Sequence, residues 1–257
     1  MNEETIKQMK DMKLSGMVRA FTTSLENEQL NKYTPDEMVA FLIQSEWDDR
    51  QNRTTLRLIT NARFRYNASI ESLHYSNNRN LDKNQILRYA DCSYIKTYEN
   101  IFITGSTGIG KSYIATALGN QACILGYKVM YANTSKLFSR LKMAKANGLY
   151  VKEMAKIERQ DLLILDDFGL QPLDTTNRNI LMEIIEDRHG KSATIITSQL
   201  PVSKWHEVIG EQTVADAILD RIVHSAYRIE IKGESLRKKN EVQINKEIIN
   251  NISVLML

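Results

Sequence analysis

Residues 105 to 112 read Gly-Ser-Thr-Gly-Ile-Gly-Lys-Ser, a glycine-rich turn that ends in a cation and a hydroxyl. Glycines at 105, 108 and 110 allow backbone amides to turn inward around phosphate oxygens, a conformation other residues resist. The pattern GxxxxGK[ST] is matched in full, so Lys111 is expected to reach β- and γ-phosphates and the Ser112 hydroxyl to ligate Mg²⁺. The expected nucleotide contacts are Gly105, Ser106, Thr107, Gly108, Ile109, Gly110, Lys111, Ser112 and Tyr113. A second group lies in "DLLILDDFG", residues 161 to 169, where four apolar residues lead into Asp166 and Asp167. A buried strand would carry both carboxylates to its C-terminal edge, where open α/β sheets bind ligands. Asp166 is expected to hold Mg²⁺ through its water shell and Asp167 to polarise an attacking water, the division of labour within the pair staying open.

These groups need a sheet to hold them. Short β-rich runs occur at 100–104, 128–132, 162–166, 193–197 and 227–231, separated by helical stretches. Such alternation implies parallel strands with crossover helices, an α/β sandwich. The loop follows the first run and opens a helix, which adds its positive N-terminal end to the phosphate site. Residues 1 to about 95 look helical instead. Leu14, Met17, Val18, Phe21 and Leu25 share a helix face, and Thr34 with Pro35 offers a helix start. The expected organisation is a helical domain at 1–95, a nucleotide-type core at 96–240 with a short C-terminal lid, and a tail at 241–257.

Composition narrows the function classes. The chain has 257 residues, 42% hydrophobic and 25% charged, the profile of a soluble globular protein. A net charge of +3 gives no global field for nucleic acid, so any such case rests on local clusters. Cys92 and Cys123 have neither metal nor disulfide spacing and are expected to be free thiols. The four histidines are scattered, which speaks against zinc and histidine-based catalysis. No signal peptide and no apolar run of bilayer length is seen, so a cytoplasmic location without membrane contact is expected.

The pieces "FITGSTGIGKSYIATALG", "LLILDDFG", "TIITSQLP" and "ADAILDRIVHSAYRIEIKGESLRKK" follow one another as in the helper ATPases of bacterial insertion sequences. The chain resembles this IstB family, AAA+ ATPases of the initiator clade close to the helicase loader DnaC and the initiator DnaA. The resemblance covers most of the chain and is most specific over 213–239. It implies a P-loop AAA+ three-layer α/β sandwich with a parallel sheet, preceded by a small all-helical domain. It also implies ATP and Mg²⁺ as cofactors, Gln199 as first sensor, Arg221 as an arginine finger entering a neighbouring subunit, and Arg237 as second sensor. Arg221 is expected on a short helical lid. Most AAA+ ATPases place Glu where Asp167 stands, so slow turnover is implied.

Two basic segments are candidates for DNA. Residues 134–159 are long for a crossover and read as two helices carrying Lys136, Arg140, Lys142, Lys145, Lys152, Lys156 and Arg159 against Glu153 and Glu158. Lys136 with Arg140, and Lys152 with Lys156, are spaced to form stripes facing phosphates. In initiator-type ATPases an extra helix here lines the nucleic-acid path, and the resemblance implies the same. The other segment holds Arg50, Arg53 and Arg57 on one helix face, then Arg63 and Arg65 with no acid nearby in sequence. Its arginines could meet DNA or a protein, while Phe64 and Tyr66 are expected to pack.

The resulting expectation is an ATP-dependent regulator that oligomerises on double-stranded DNA and presents it to the transposase of the same insertion sequence. Nothing in the sequence suggests a nuclease carboxylate triad, so the transposase would cut. A DnaC-like helicase loader is the main rival. A small-molecule kinase is a third reading, and it leaves Arg221, Arg237 and the basic segment without a role.

Overall fold

The computed structural model describes residues 2–27, 32–75, 79–224 and 226–236. The chain divides into two compact units, one ending at Arg57 and one beginning at Leu58.

The first unit holds α1 (Asn2–Asp11), α2 (Ser15–Glu26) and most of α3 (Pro35–Ala62). The start of α3 is a capping box. The Thr34 amide donates to the Glu37 carboxylate at 2.8 Å, and the Glu37 amide reaches back to the Thr34 hydroxyl at 3.4 Å. Further along α3, Glu46 caps the next helix over, accepting the Gly16 amide at 2.7 Å and the Met17 amide at 3.3 Å. Both amides lie in the unsatisfied first turn of α2, where a carboxylate is favoured. Burial works against the charge on Glu46, but Arg50 and the two amides outweigh it and hold its carboxyl below the ordinary range. α2 and α3 come so close at Gly16 that a Cβ there would stand 2.4 Å from the Ser45 carbonyl oxygen.

The second unit contains α4 (Lys83–Ala90), α5 (Ser93–Lys96) and a five-stranded parallel sheet. Its strands are β1 (Asn100–Gly105), β2 (Val129–Asn133), β3 (Leu162–Phe168), β4 (Ala193–Ser198) and β5 (Ala226–Ile231), in the order β2-β3-β4-β1-β5. Alternate side chains feed two separate cores. Ile101, Ile103, Ile164 and Ile195 face α6 (Lys111–Ile124) and the segment from Ala62 to Ile95. Phe102, Leu163, Leu165 and Ile196 face α7 (Thr134–Ala146), α8 (Tyr150–Glu158), α9 (Thr175–Arg188), α10 (Trp205–Ile209) and α11 (Gln212–Val223). Burial on both faces explains why the strands read as continuous apolar runs rather than alternating ones.

Packing divides the chain earlier than the boundary near 95 suggested by secondary-structure type. Ala62, Ala68, Ile70, Leu73, Ile86 and Tyr94 belong to the same buried cluster as β1 and α6, so the described residues of 58–75 and 79–95 pack with the sheet. Among the described residues, no helix is long and apolar enough to cross a membrane. Cys92 and Cys123 are free and buried, and burial pushes their thiols up to about 11 and about 12.

Candidate nucleotide-binding site

The glycine-rich turn joins β1 to α6 at the C-terminal edge of the sheet. Gly105, Gly108 and Gly110 have φ of +141°, +79° and +94°. The loop is also crowded: a Cβ on Gly105 would lie 2.2 Å from the Ile231 carbonyl oxygen of β5. The Ile109 side chain is buried in the core and pins the loop from below, which leaves only its backbone for a ligand. Lys111 is buried, and its ammonium donates to the Ser106 carbonyl at 2.8 Å. The chain returns to the loop after β5, where the Leu236 amide donates to the Gly108 carbonyl at 3.0 Å.

A cavity of about 500 Å³ opens above this loop. It is lined by Thr107, Gly108, Gly110, Lys111, Ser112 and Tyr113 from the motif, and by Asp167 and Gln199 from the ends of β3 and β4. Thr107 and Gln199 touch across it, with 2.7 Å between the hydroxyl and the amide oxygen. The structure thus gathers most of the expected nucleotide residues around one space.

The two aspartates have different surroundings. Asp166 is fully buried and accepts hydrogen bonds from the Tyr131 and Thr197 hydroxyls. Asp167 sits within an irregularity of the β3–β4 register, between Leu165 and Phe168, and takes a left-handed φ of +58°. Aspartate tolerates that region better than most side chains. Its amide donates to Thr197 Oγ1 at 3.0 Å, and its carboxylate accepts from Asn133 Nδ2 at 3.1 Å. Burial, with the like charge of Asp166, raises the Asp167 pKa above the ordinary range, and Arg65 and Lys111 oppose that rise. Asp167 therefore faces the cavity while Asp166 stands behind it.

Two cations in the cavity wall were not picked out as nucleotide contacts from sequence. Arg65, which has no acid nearby in sequence, lies in the fold 3.5 Å from Asp167 and 3.9 Å from Asp166. No local pattern could have revealed the pairing, since the partners are about a hundred positions away in the chain. Arg79 is nine-tenths buried and donates to the His74 and Ile109 carbonyls, bracing the loop from outside. Phe64 and Tyr66 pack as expected, Phe64 edge-on to Tyr131 and Tyr66 tilted against Tyr113.

Other expected residues lie elsewhere. Arg221 is not on a lid. It sits on α11, whose Ala215, Ile218 and Ile222 are buried in the core shared with α9. Its guanidinium pairs with Glu186 at 2.7 Å and donates to the Ala217 carbonyl at 2.9 Å, beside a separate small cavity. Arg237 lies outside the described residues. The basic segment forms two helices, α7 and α8, as expected. Within it Arg140 and Lys156 both pair with Glu153, and Lys142 pairs with Asp174 at 2.8 Å. Lys145 sits over the Tyr150 ring at 5.1 Å. Among the described residues no ion pair engages Lys136, Lys145 or Lys152. In the first unit, Arg50 and Arg53 are paired with Glu46 and Asp49.

The donor set suits a magnesium nucleotide. Left-handed glycines and the buried Lys111 match the needs of phosphates, and the Ser112 hydroxyl with the aspartates supplies the hard oxygens Mg²⁺ prefers. The strand order, the glycine loop after β1 and the carboxylates at the end of β3 define a P-loop AAA+ domain. The chain belongs to the family of IstB-like ATP binding proteins, whose model matches residues 7–244. It is 41% identical over 234 residues to the insertion sequence ATP-binding protein y4pL of Sinorhizobium fredii, covering 91% of this chain and 96% of that one. It is 35% identical over 204 residues to the IS1162 ATP-binding protein of Pseudomonas fluorescens, covering 79% and 88%. Among solved structures, the DnaC helicase loader aligns with a TM-score of 0.54 at 22% identity, covering 65% of this chain and 98% of that one. AMPPCP-bound DnaA from Aquifex aeolicus aligns at 0.57 and 19% identity, covering 72% and 56%. The last two likenesses concern the fold.

Proposed function

We propose that this protein is an ATP-dependent, DNA-binding AAA+ regulator that assembles as a homo-oligomer on double-stranded DNA and serves the transposase of its insertion sequence. The observation that carries the reading is the convergence of Lys111, Ser112, Asp167 and Gln199 on one cavity, in a chain of the IstB-like family. In this reading the loop amides and Lys111 hold the phosphates, while Ser112 ligates Mg²⁺ and Asp166 holds it through its water shell. Asp167 orients the attacking water and takes its proton, and Gln199 fixes the far side of that water. Bound MgATP supplies the phosphoanhydride bond and a cation that spreads the charge of the transferring phosphoryl group. The side chain of Asp167 is one methylene shorter than glutamate, which favours slow hydrolysis suited to a timer. Arg221 completes a neighbour's site, Arg237 contacts nucleotide from its own chain, and the α7–α8 hairpin follows the DNA backbone. A cytoplasmic location accords with such a partner. The helicase-loader alternative draws on likeness of fold, whereas the family match spans nearly the whole chain.

The experiment is a fluorescent-nucleotide titration of wild type and Lys111→Ala. Tight ATP binding by wild type and its loss in the variant is the expected result. Unimpaired binding by Lys111→Ala would remove the cavity from the account.

A further inference from the structure

Arg65 stands after the end of α3, outside the glycine loop and the carboxylate run, yet it forms part of the wall that holds Lys111, Thr107, Asp167 and Gln199. Its neighbours fix where it starts. Phe64 packs against Tyr131, Tyr66 against Tyr113, and the Arg65 guanidinium carbon lies 5.3 Å from the Tyr66 ring centroid. The side chain is nevertheless 46% exposed, so its charged end can shift without disturbing packing. Its acidic partners are the two carboxylates, 3.5 and 3.9 Å away.

We propose that Arg65 is a contact, within the same chain, for the terminal phosphate of a nucleoside triphosphate, and that it sets the preference for triphosphate over diphosphate. The inference rests on the reading of the cavity as a nucleotide site. A terminal phosphate reached by Lys111 must approach Asp167, and a cation fixed beside Asp167 offsets the repulsion between these like charges in addition to Mg²⁺. Arg65 is already beside Asp167, and a guanidinium fork can hold a carboxylate and a phosphate oxygen together. A diphosphate brings no group to that position and leaves the Arg65–Asp167 pair as it is. Arg79 differs in kind. It is nine-tenths buried and ties the loop carbonyl of Ile109 to the His74 carbonyl, so it supports the loop for either nucleotide.

The test uses full-length protein with Mg²⁺ and two fluorescent probes, a non-hydrolysable ATP analogue and ADP, titrated against wild type, Arg65→Ala, Arg65→Lys and Lys111→Ala. Arg65→Ala is expected to lose about tenfold or more in affinity for the triphosphate and less than about twofold for ADP, the scale of one charge-assisted hydrogen bond. Arg65→Lys should fall between, and Lys111→Ala should lose both nucleotides. Melting curves identify any unfolding, in which case Arg65→Gln, which keeps a polar side chain without the charge, carries the comparison. Equal losses for the two nucleotides in a folded variant, or none, would overturn the inference while leaving the nucleotide site intact. Wild-type protein that binds neither probe would overturn both.

Discussion

Asp166 and Asp167 are adjacent in sequence but sit in different chemical settings, and the difference sorts their substitutions. Asp167 meets the cavity from a left-handed backbone position that asparagine also tolerates. Asp167→Asn should therefore fold, bind ATP within about twofold of wild type, and lose about a hundredfold or more of its hydrolysis, the usual contribution of a positioned general base. Phosphate release measured beside nucleotide titration checks this, and wild-type turnover by the variant would assign the water to another group. Asp166 is a poorer choice for the same question. It accepts from Tyr131 and Thr197 with no exposed surface, and an amide nitrogen in its place would face donors in a buried site.

At the scale of elements, the α7–α8 hairpin carries the DNA hypothesis, and its lysines are not equivalent. Arg140, Lys142 and Lys156 are in ion pairs, so much of their charge is already answered. Among the described residues no ion pair engages Lys136, Lys145 or Lys152, although Lys152 is near enough to Glu153 to help lower its pKa. Replacing these three by alanine should flatten the log–log salt dependence of DNA affinity by about 2 to 3 units, near one for each phosphate no longer neutralised. Anisotropy titrations across salt concentrations measure the slope, and an unchanged slope would move the DNA path off this hairpin. The hairpin, the strands and the phosphate loop were all legible in the sequence because each is specified locally, by apolar runs, glycine spacing or segment length. The pairing of Arg65 with Asp167 was not, because a lysine- or arginine-rich stretch looks the same whether its partners are solvent, DNA or a distant carboxylate. Arg50 and Arg53 differ, because their acids Glu46 and Asp49 lie one helical turn away on α3 and that spacing is visible in the sequence; only the burial of those acids is not. Residues 58–95 were misplaced by type: a helical stretch gives no sign of which core it joins.

For the whole molecule, the position of Arg221 is the decisive feature. It lies on a helix packed against α9, paired with Glu186 and apart from the cavity that holds Lys111. A finger in that place can serve only another subunit, and it must leave Glu186 to do so. The account therefore requires composite sites, each made of one chain's loop and its neighbour's arginine. Arg221→Ala should bind ATP almost normally and hydrolyse it about a thousandfold more slowly, the scale of an arginine finger. Lys111→Ala should have the opposite defect, with a dead pocket and an intact finger. Steady-state hydrolysis on DNA, measured while the two inactive variants are mixed at varied ratios, tests this most directly. The account predicts that activity returns on mixing and peaks near equal amounts. Full activity in either variant alone, or no recovery in mixtures shown to co-assemble, would contradict it.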